Sequence, residues 1–576
     1  MPFSLQPTAM TPLKWSYLNN VPEDQIVLLQ SALGVDRLVA RLLVQRGVTS
    51  FEAAKNFFRP TRELLHDPFL MSDMEAAVAR LHRAVESQEK ILIYGDYDVD
   101  GTTSVALVYS LLRNLGVKCS YYIPDRNTEG YGVSAAGIDH ANEVGATLVI
   151  ALDLGIKAME MVRKAAALGI DFIICDHHLP EENLPAAVAV LDPKRPDCPY
   201  PFKELSGCGI GFKLMQAYTM RHADPEIVFE FADLVAVSIA SDIVAVTGEN
   251  RVLTAIGLKK LNEKPCHGLN ALLKIAGVKK ELDVNSVVFT LGPRINAAGR
   301  VAHAHSAVEL LVAQQEEEAD ELAASLNSKN TERRIHDLSI TEEAMAMIDS
   351  DENLRNASAT VVYKETWHKG VIGIVASRLL EKYYRPTIVL TLSNGKITGS
   401  ARSINGFDLH AAIESCADLL EKFGGHRYAA GLTLDPAKLE PFRQRFEKIV
   451  AASLTEDMRI PVIEIDAVVE PDELNMKYLR IQKQMAPFGP GNLQPVFELK
   501  NVSVYGVPTL AKERHLRLAV GAEHSPHRFS AVCFDRPDLL ETASSGAPLN
   551  IVFHLEENTW NGVTSLQLRL KDICRA

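Results

Sequence analysis

Seven consecutive residues, Gly95-Asp96-Tyr97-Asp98-Val99-Asp100-Gly101, place three carboxylates at alternate positions of one short loop. Carboxylate oxygens are the hard donors that Mg²⁺ and Mn²⁺ prefer. The same spacing opens a calcium-binding EF-hand loop, whose twelfth residue is a glutamate. Here that position is Leu107, and the segment before the loop reads as a strand, so the calcium reading is set aside. Asp153 ends the apolar run TLVIAL, and Asp176-His177-His178 ends the run FIIC. Asp242 interrupts LVAVSIASDIVAV, where a lone acid needs a partner or a cation. Singly, each is an ordinary cap, turn or satisfied core residue; together they predict a metal site. So many carboxylates repel one another unless neutralised, which suits two divalent ions about 3.5–4 Å apart, the arrangement used in phosphodiester hydrolysis.

The elements that must position these groups are legible as alternation. Ile91–Tyr94, Ser120–Ile123, 147–152 and 172–175 read as short apolar strands. Between them fall helix-like runs at Thr102–Leu115, 135–144 and 157–167. Strand and helix at this spacing predict a parallel sheet covered on both faces, with ligand groups at the strand carboxyl ends. Residues 1–85 read as helical, with Leu38, Val39, Leu42 and Leu43 at helical spacing. Residues 301–360 contain thirteen acidic and four basic residues and neither proline nor glycine. They predict one or two long connector helices, with Leu311, Leu322, Leu326, Ile335 and Leu338 as the apolar stripe. A second α/β unit follows, with strands near 359–363 and 387–392. From about 456 onward, short alternating strands (FELKNVSVYG, LRLAVG, RFSAVCF, NIVFHL, LQLRLKDI) predict a small β-barrel.

The 576 residues are enough for several cores, and 47% hydrophobic with 23% charged residues excludes a fibrous or wholly disordered chain. None of the eight cysteines forms a C-x-x-C pair, so zinc-ribbon and thioredoxin-like chemistry have no support. The start, MPFSLQPTAMTPLKW, has no signal-peptide pattern, and no run reaches the roughly 18–20 apolar residues of a membrane span, which together predict a cytoplasmic protein. The net charge of −13 argues at first sight against a nucleic-acid partner. Segment 301–360 carries −9 of it, leaving −4 for the rest, and six acids of that remainder are Asp96, Asp98, Asp100, Asp153, Asp176 and Asp242. Two bound divalent ions would bring the remainder to zero.

In order and spacing, YGDYDVDGTTS, LDLG, CDHHLP and SIASDIV resemble the motifs of the DHH phosphoesterase family. Further along, GPRINAAGR, WHKGVIGIVASR, GSARS, GGHRYAAGLT and MAPFGPGN resemble its branch of bacterial single-strand-specific 5′→3′ DNA exonucleases. Lys369 and Arg427 stand where those motifs are expected to carry smaller residues. The resemblance implies a DHH catalytic domain at 86–300, connector helices at 301–355, a DHHA1-like substrate-binding domain at 356–455 and an OB-fold-like domain at 456–576, with residues 1–85 packed on the catalytic core. It implies two Mn²⁺ or Mg²⁺ ions held by Asp96, Asp98, Asp100, Asp153, His177 and Asp242. It further implies catalytic roles for His178, His177 and Asp153, with Asp176 orienting the histidines from behind. For the strand itself it implies Arg126, Arg294, Arg300, Ser400, Arg402, Gly424, Gly425 and His426, arginine forks being suited to phosphate oxygens. Tyr505, Phe529, Phe534 and Trp560 are the barrel aromatics available for stacking. The implied activity degrades single-stranded DNA from its 5′ end to 5′-mononucleotides in recombination and mismatch repair. The implied setting is a monomer working beside a single-strand-binding protein and a helicase, away from membranes.

Overall fold

The structure, a computed structural model, describes residues 13–19, 21–126, 128–301 and 303–576; most of the N-terminal stretch read for a signal peptide lies outside them. The described chain divides into two compact units. One comprises 52–333 with 485–493, and the other comprises 13–51, 334–484 and 494–576. Strand β1, Lys14–Tyr17, pairs in parallel with Val462–Ile465. Residues 13–51 therefore group with the second unit and not with the catalytic core, where the sequence reading put all of 1–85. Arg41 and Gln45, on the helix Arg37–Gln45, both donate to the carbonyl of Asp466 in that same unit.

The first unit is built on five parallel strands: β2 (Ile91–Gly95), β3 (Cys119–Tyr122), β4 (Leu148–Leu152), β5 (Asp171–Cys175) and β6 (Ala189–Leu191), in the order β3-β2-β4-β5-β6. The period of two sends alternate side chains to opposite faces. Leu92, Tyr94, Val149, Ala151, Phe172 and Ile174 pack on one side with Ile138, Val162 and Ala165 of the helices Ala135–Glu143 and Met159–Ala167. Ile93, Ile150, Leu152, Ile173 and Cys175 pack on the other, with the helices Val99–Asn114, Gly207–His222 and Ala232–Ser241. The register sets Gly95, Leu152, Cys175 and Leu191 level with one another. The residue after each is an aspartate: Asp96, Asp153, Asp176 and Asp192. One sheet edge thus receives a carboxylate from each of four neighbouring strands.

The acidic connector is a single 35-residue helix, Glu316–Ser350, about 52 Å long at 1.5 Å per residue. Of the predicted stripe, Leu326 is buried and Leu322 half-buried on this helix, and Leu311 is buried on the helix before it. Ile335 is 63% exposed, and Leu338 is only half-buried. The buried positions include Ala319, Ala323, Leu326, Asn330, Arg333, Asp337, Ile340, Ala344 and Ile348, a run of three- and four-residue steps that passes by 335. Polar residues occupy the middle of that stripe, so hydrophobicity alone puts Ile335 on it.

The second unit holds two further sheets. In one, β7 (Thr360–Tyr363), β8 (Thr387–Ser393), β9 (Lys396–Arg402), β10 (Lys422–His426) and β11 (Ala429–Leu434) run in the order β10-β11-β9-β8-β7. After β12 (Val462–Ile465), the other contains β13 (Ala467–Val468), β14 (Phe497–Ala511), β15 (His515–Ala522), β16 (Phe529–Cys533), β17 (Leu549–Trp560) and β18 (Val563–Arg575). A β14–β17 pairing closes this second sheet into a barrel. The loop Met485–Leu493, which the sequence reading placed with the barrel, belongs to the first unit. There Val246 N donates to Pro490 O at 2.7 Å and the Arg251 guanidinium to Ala486 O at 2.9 Å. Among the described residues no helix is long and apolar enough to cross a membrane.

Candidate metal centre

The acidic loop turns directly from β2 into the helix Val99–Asn114. Asp98 caps that helix, its Oδ1 accepting from Gly101 N at 3.0 Å. Gly101 is required here, because a Cβ at 101 would stand 2.4 Å from the Asp96 carbonyl oxygen. Negative charge is favoured at this helix start by the macrodipole. Asp100 is gripped from a second helix start: Gly207 N and Cys208 N each donate to it at 2.7 Å, as does the Ser238 hydroxyl. Gly207 also lets Asp153 approach, since a Cβ at 207 would lie 2.6 Å from the Asp153 Cβ. Asp153 itself sits at φ 61°, a conformation aspartate tolerates better than most residues. Asp242 arrives as the C-cap of the helix Ala232–Ser241 and Asp100 in the first turn of Val99–Asn114, while Asp96, Asp98 and Asp153 come from loops after strands.

His177 Nε2 lies 3.1 Å from Asp153 Oδ1, 3.7 Å from Asp242 Oδ2 and 3.8 Å from Asp100 Oδ2. Asp153 Oδ1 nevertheless accepts no hydrogen bond, and buried Asp96 Oδ1 and His177 Nδ1 also have no partner. These groups converge without satisfying one another, which is the state of ligands arranged around a shared cation. Two sets with no member in common, Asp96/Asp98/Asp153 and Asp100/His177/Asp242, each bring three ligand atoms within 4.8 Å of one another. A third set, Asp153/His177/His178, overlaps both. Burial first, and then the charges of Asp100, Asp98, Asp242 and Asp96, hold the Asp153 carboxyl well above the usual carboxylate range. Burial and Asp98 do the same to Asp96, and burial with Asp100 and Asp98 pushes Asp242 up to about 9. Burial holds the His177 imidazole below its ordinary value, in the neutral form that ligates metals. Oxygen donors with imidazole, arranged as two triads, fit two Mn²⁺ or Mg²⁺ ions.

Asp176 faces away from this convergence. Its Oδ1 accepts from His177 N (2.8 Å), His178 N (3.1 Å) and His178 Nδ1 (2.7 Å), and its Oδ2 from Ile156 N (2.9 Å). Burial pushes this carboxyl up, but the His178 bond and charge outweigh it and hold it below the usual range. Conversely, burial lowers His178, and the bond from Asp176 outweighs it and raises the imidazole. Asp176 is thus placed to orient the His178 imidazole and to hold the backbone of both histidines.

Two groups of the site escape the sequence reading. The Tyr131 hydroxyl is 3.3 Å from the Asp153 carbonyl oxygen and 3.2 Å from His178 Nδ1. Asp192, fully buried after β6, has one carboxylate oxygen without a partner, and burial pushes it up to about 7. A short LDPK segment after a three-residue strand was the available signal for Asp192, and the GYG triplet was the signal for Tyr131.

The predicted strand-binding residues divide. Arg126 stands over the Tyr97 ring at 5.0 Å, and its charge acts on Asp96; Arg300 acts on Tyr97. Arg294 instead donates to Thr290 O at 2.6 Å and Asn327 Oδ1 at 3.1 Å, within the helical part of the unit. In the second unit Ser400 and Arg402 share β9, and Arg402 Nη1 donates to the Ser400 hydroxyl at 3.2 Å. A Cβ on Gly373, in the first turn of the helix Ile372–Tyr383, would come within 3.0 Å of Ser400 Oγ and 3.3 Å of Arg402 Nη2. Through β11, Gly424 is level with Ser400, and His426 with Arg402. Gly424, Gly425, His426, Ser400 and Arg402 therefore share one stretch of sheet.

Replacing Ser238 with alanine removes one of the three donors holding Asp100. It is expected to weaken Mn²⁺ binding about 10–100-fold, the usual effect of losing a group that orients a ligand. An unchanged affinity in a calorimetric titration would show that Asp100 needs no such support.

Residues 90–239 match the DHH family N-terminal domain, 356–452 the DHHA1 domain and 465–572 the RecJ OB domain. The single-stranded-DNA-specific exonuclease RecJ of Bacillus subtilis is 37% identical over 564 residues, covering 97% of this chain and 70% of that protein. That of Salmonella typhimurium is 33% identical, covering 93% and 95%. The chain belongs to the RecJ family. Among solved structures, RecJ from Thermus thermophilus in complex with Mn²⁺ superposes with a TM-score of 0.83 at 28% identity, covering 98% of this chain and 80% of that one. The same protein in complex with Mg²⁺ gives a TM-score of 0.78 at 26% identity. The metal requirement inferred from carboxylate repulsion is thus matched by relatives solved with either ion.

Proposed function

We propose that this RecJ-family chain is a metal-dependent exonuclease specific for single-stranded DNA, degrading it 5′→3′ to 5′-mononucleotides in recombination and repair. The observation that carries the reading is the pair of ligand triads, Asp96/Asp98/Asp153 and Asp100/His177/Asp242, on one sheet edge. When bound there, two divalent ions would activate water and stabilise charge on the scissile phosphate. Asp96, Asp98, Asp100, Asp153, His177 and Asp242 would hold them. Asp176 fixes the imidazole of His178, which offers an N–H to a phosphate oxygen or to the departing 3′ oxygen. Arg126 and Arg300 supply positive charge beside the acidic loop, where the backbone of a strand would otherwise be repelled. Ser400 and Arg402, beside the first turn of a helix, with Gly424, Gly425 and His426 level with them, form the group that takes the 5′ phosphate. The aromatic and arginine pairs of the barrel, Tyr505 with Arg528 at 3.9 Å and Phe534 with Arg569 at 5.6 Å, suit stacking on unpaired bases. A single-strand-binding protein and a helicase are the partners such an enzyme works beside, in the cytoplasm and as a monomer.

Arg402→Ala is expected to raise KM for a 5′-phosphorylated strand about 10–100-fold, the worth of one charge-assisted hydrogen bond, with kcat little changed. An unchanged KM removes Arg402 from end capture. The wider reading is tested by offering a long single strand, the same strand as a duplex, and a dinucleotide. The long single strand should be consumed fastest; preference for the dinucleotide would instead indicate a small-molecule phosphodiesterase.

A further inference from the structure

Directly after the metal-site residue Asp242, Ile243 adopts φ 61°, in the left-handed region. A β-branched side chain is among the least tolerant of that conformation. Burial does not compensate here, because Ile243 is 66% exposed. A strained residue whose side chain stands in water is held for what it does. A second large aliphatic side chain, Leu179, directly follows His178 and is 72% exposed. The turns carrying the two meet at the metal centre, since His177 Nε2 is 3.7 Å from Asp242 Oδ2. Tyr131, 56% exposed with its hydroxyl on His178, stands on the same rim. Two exposed apolar residues thus directly follow residues of a site whose interior is almost wholly charged.

We propose that Ile243 and Leu179 form an apolar rim against which the base and sugar of the terminal nucleotide pack, seating the phosphate on its 3′ side at the metal centre. This rests on the nuclease reading above and adds to it the part of the substrate that is gripped. Every base has an apolar face, so such a contact tolerates any sequence, as an enzyme moving along a strand requires. The χ1 stiffness of isoleucine, on a turn fixed next to a ligand, makes the rim rigid.

The test uses the full chain with Mn²⁺ and two 5′-phosphorylated oligothymidylates, one normal and one whose 5′-terminal nucleotide is abasic. The unaltered chain should show a KM about tenfold higher for the abasic strand. Ile243→Asn keeps a side chain of similar size that suits the left-handed turn but is polar. It should raise KM for the normal strand about tenfold and no longer distinguish the two. Its Tm should be equal or higher and its calorimetric Mn²⁺ affinity unchanged. Ile243→Val should restore the original behaviour. An unchanged KM in Ile243→Asn overturns the proposal. So does a fall in Mn²⁺ affinity in step with activity, which would make Ile243 a support for Asp242, and so does a lowered Tm. If the unaltered chain releases nothing from either strand, the nuclease reading fails first and this inference falls with it.

Discussion

Asp153→Asn is expected to lower kcat on single-stranded DNA by at least about 10³-fold, because several kcal/mol of charge stabilisation in the transition state would depend on the ions this residue is placed to hold. Asp153 belongs to two of the three ligand sets and is the acid closest to His177 Nε2, at 3.1 Å. Asparagine matches its shape and fits the left-handed backbone at φ 61°. Without metal the exchange removes a buried carboxylate crowded by Asp100, Asp98, Asp242 and Asp96, so the metal-free Tm should stay level or rise. With Mn²⁺ the ordinary protein should gain stability as ligand is added, by about 2.7 kcal/mol at a hundredfold excess over Kd, and the variant should gain far less. A variant that keeps both activity and the Mn²⁺-induced Tm shift would remove Asp153 from the centre. A collapse of the metal-free Tm would mean that its role is structural.

The largest stability effect is expected at Lys213. Its ammonium and the Glu249 carboxylate are fully buried, 2.6 Å apart. Lys213 also donates to His66 O at 2.8 Å and Gln216 Oε1 at 3.0 Å, while Glu249 accepts from Tyr200 Oη at 2.6 Å and His66 N at 2.8 Å. Lys213→Met leaves a buried carboxylate without its cation and should cost about 3–5 kcal/mol in urea unfolding. The double exchange Lys213→Met with Glu249→Gln should recover much of the loss, because no lone charge remains. A single-variant loss under about 1 kcal/mol would contradict this, as it would imply that water or rearrangement reaches the site easily. The consequence extends to function. Lys213 sits on the helix Gly207–His222, whose first two N–H groups grip Asp100.

The parallel sheet was legible because its strands are short apolar runs bounded by turn residues; 147–152 and 172–175 were read within a residue of β4 and β5. Strand β6 was not, since three residues, Ala189–Leu191, carry too little pattern. Asp153 and the Asp176-His177-His178 triplet were legible because each interrupts or ends such a run. Asp192 ends one too, but its strand was invisible. Arg294, marked for a phosphate by its motif, also donates to Thr290 O and Asn327 Oδ1, contacts that the motif does not announce. The connector stripe departs from its reading only at Ile335, because buried Asn330, Arg333 and Asp337 carry it past the middle. Membership of 13–51 and 485–493 in their units rests on long-range backbone contacts, such as β1 with β12 and Val246 with Pro490, that leave no local trace.

If the two triads serve a metal-dependent nuclease that enters at the 5′ end of a single strand, metal and polarity must appear together in one assay. The most direct measurement is a time course on 5′-phosphorylated single-stranded DNA labelled at its 3′ end, with Mn²⁺ and with excess chelator. With Mn²⁺ the labelled strand should shorten progressively while unlabelled 5′-mononucleotides accumulate, and chelator should stop both. Immediate release of labelled mononucleotide from an otherwise full-length strand, or shortening that persists in chelator, would contradict the account.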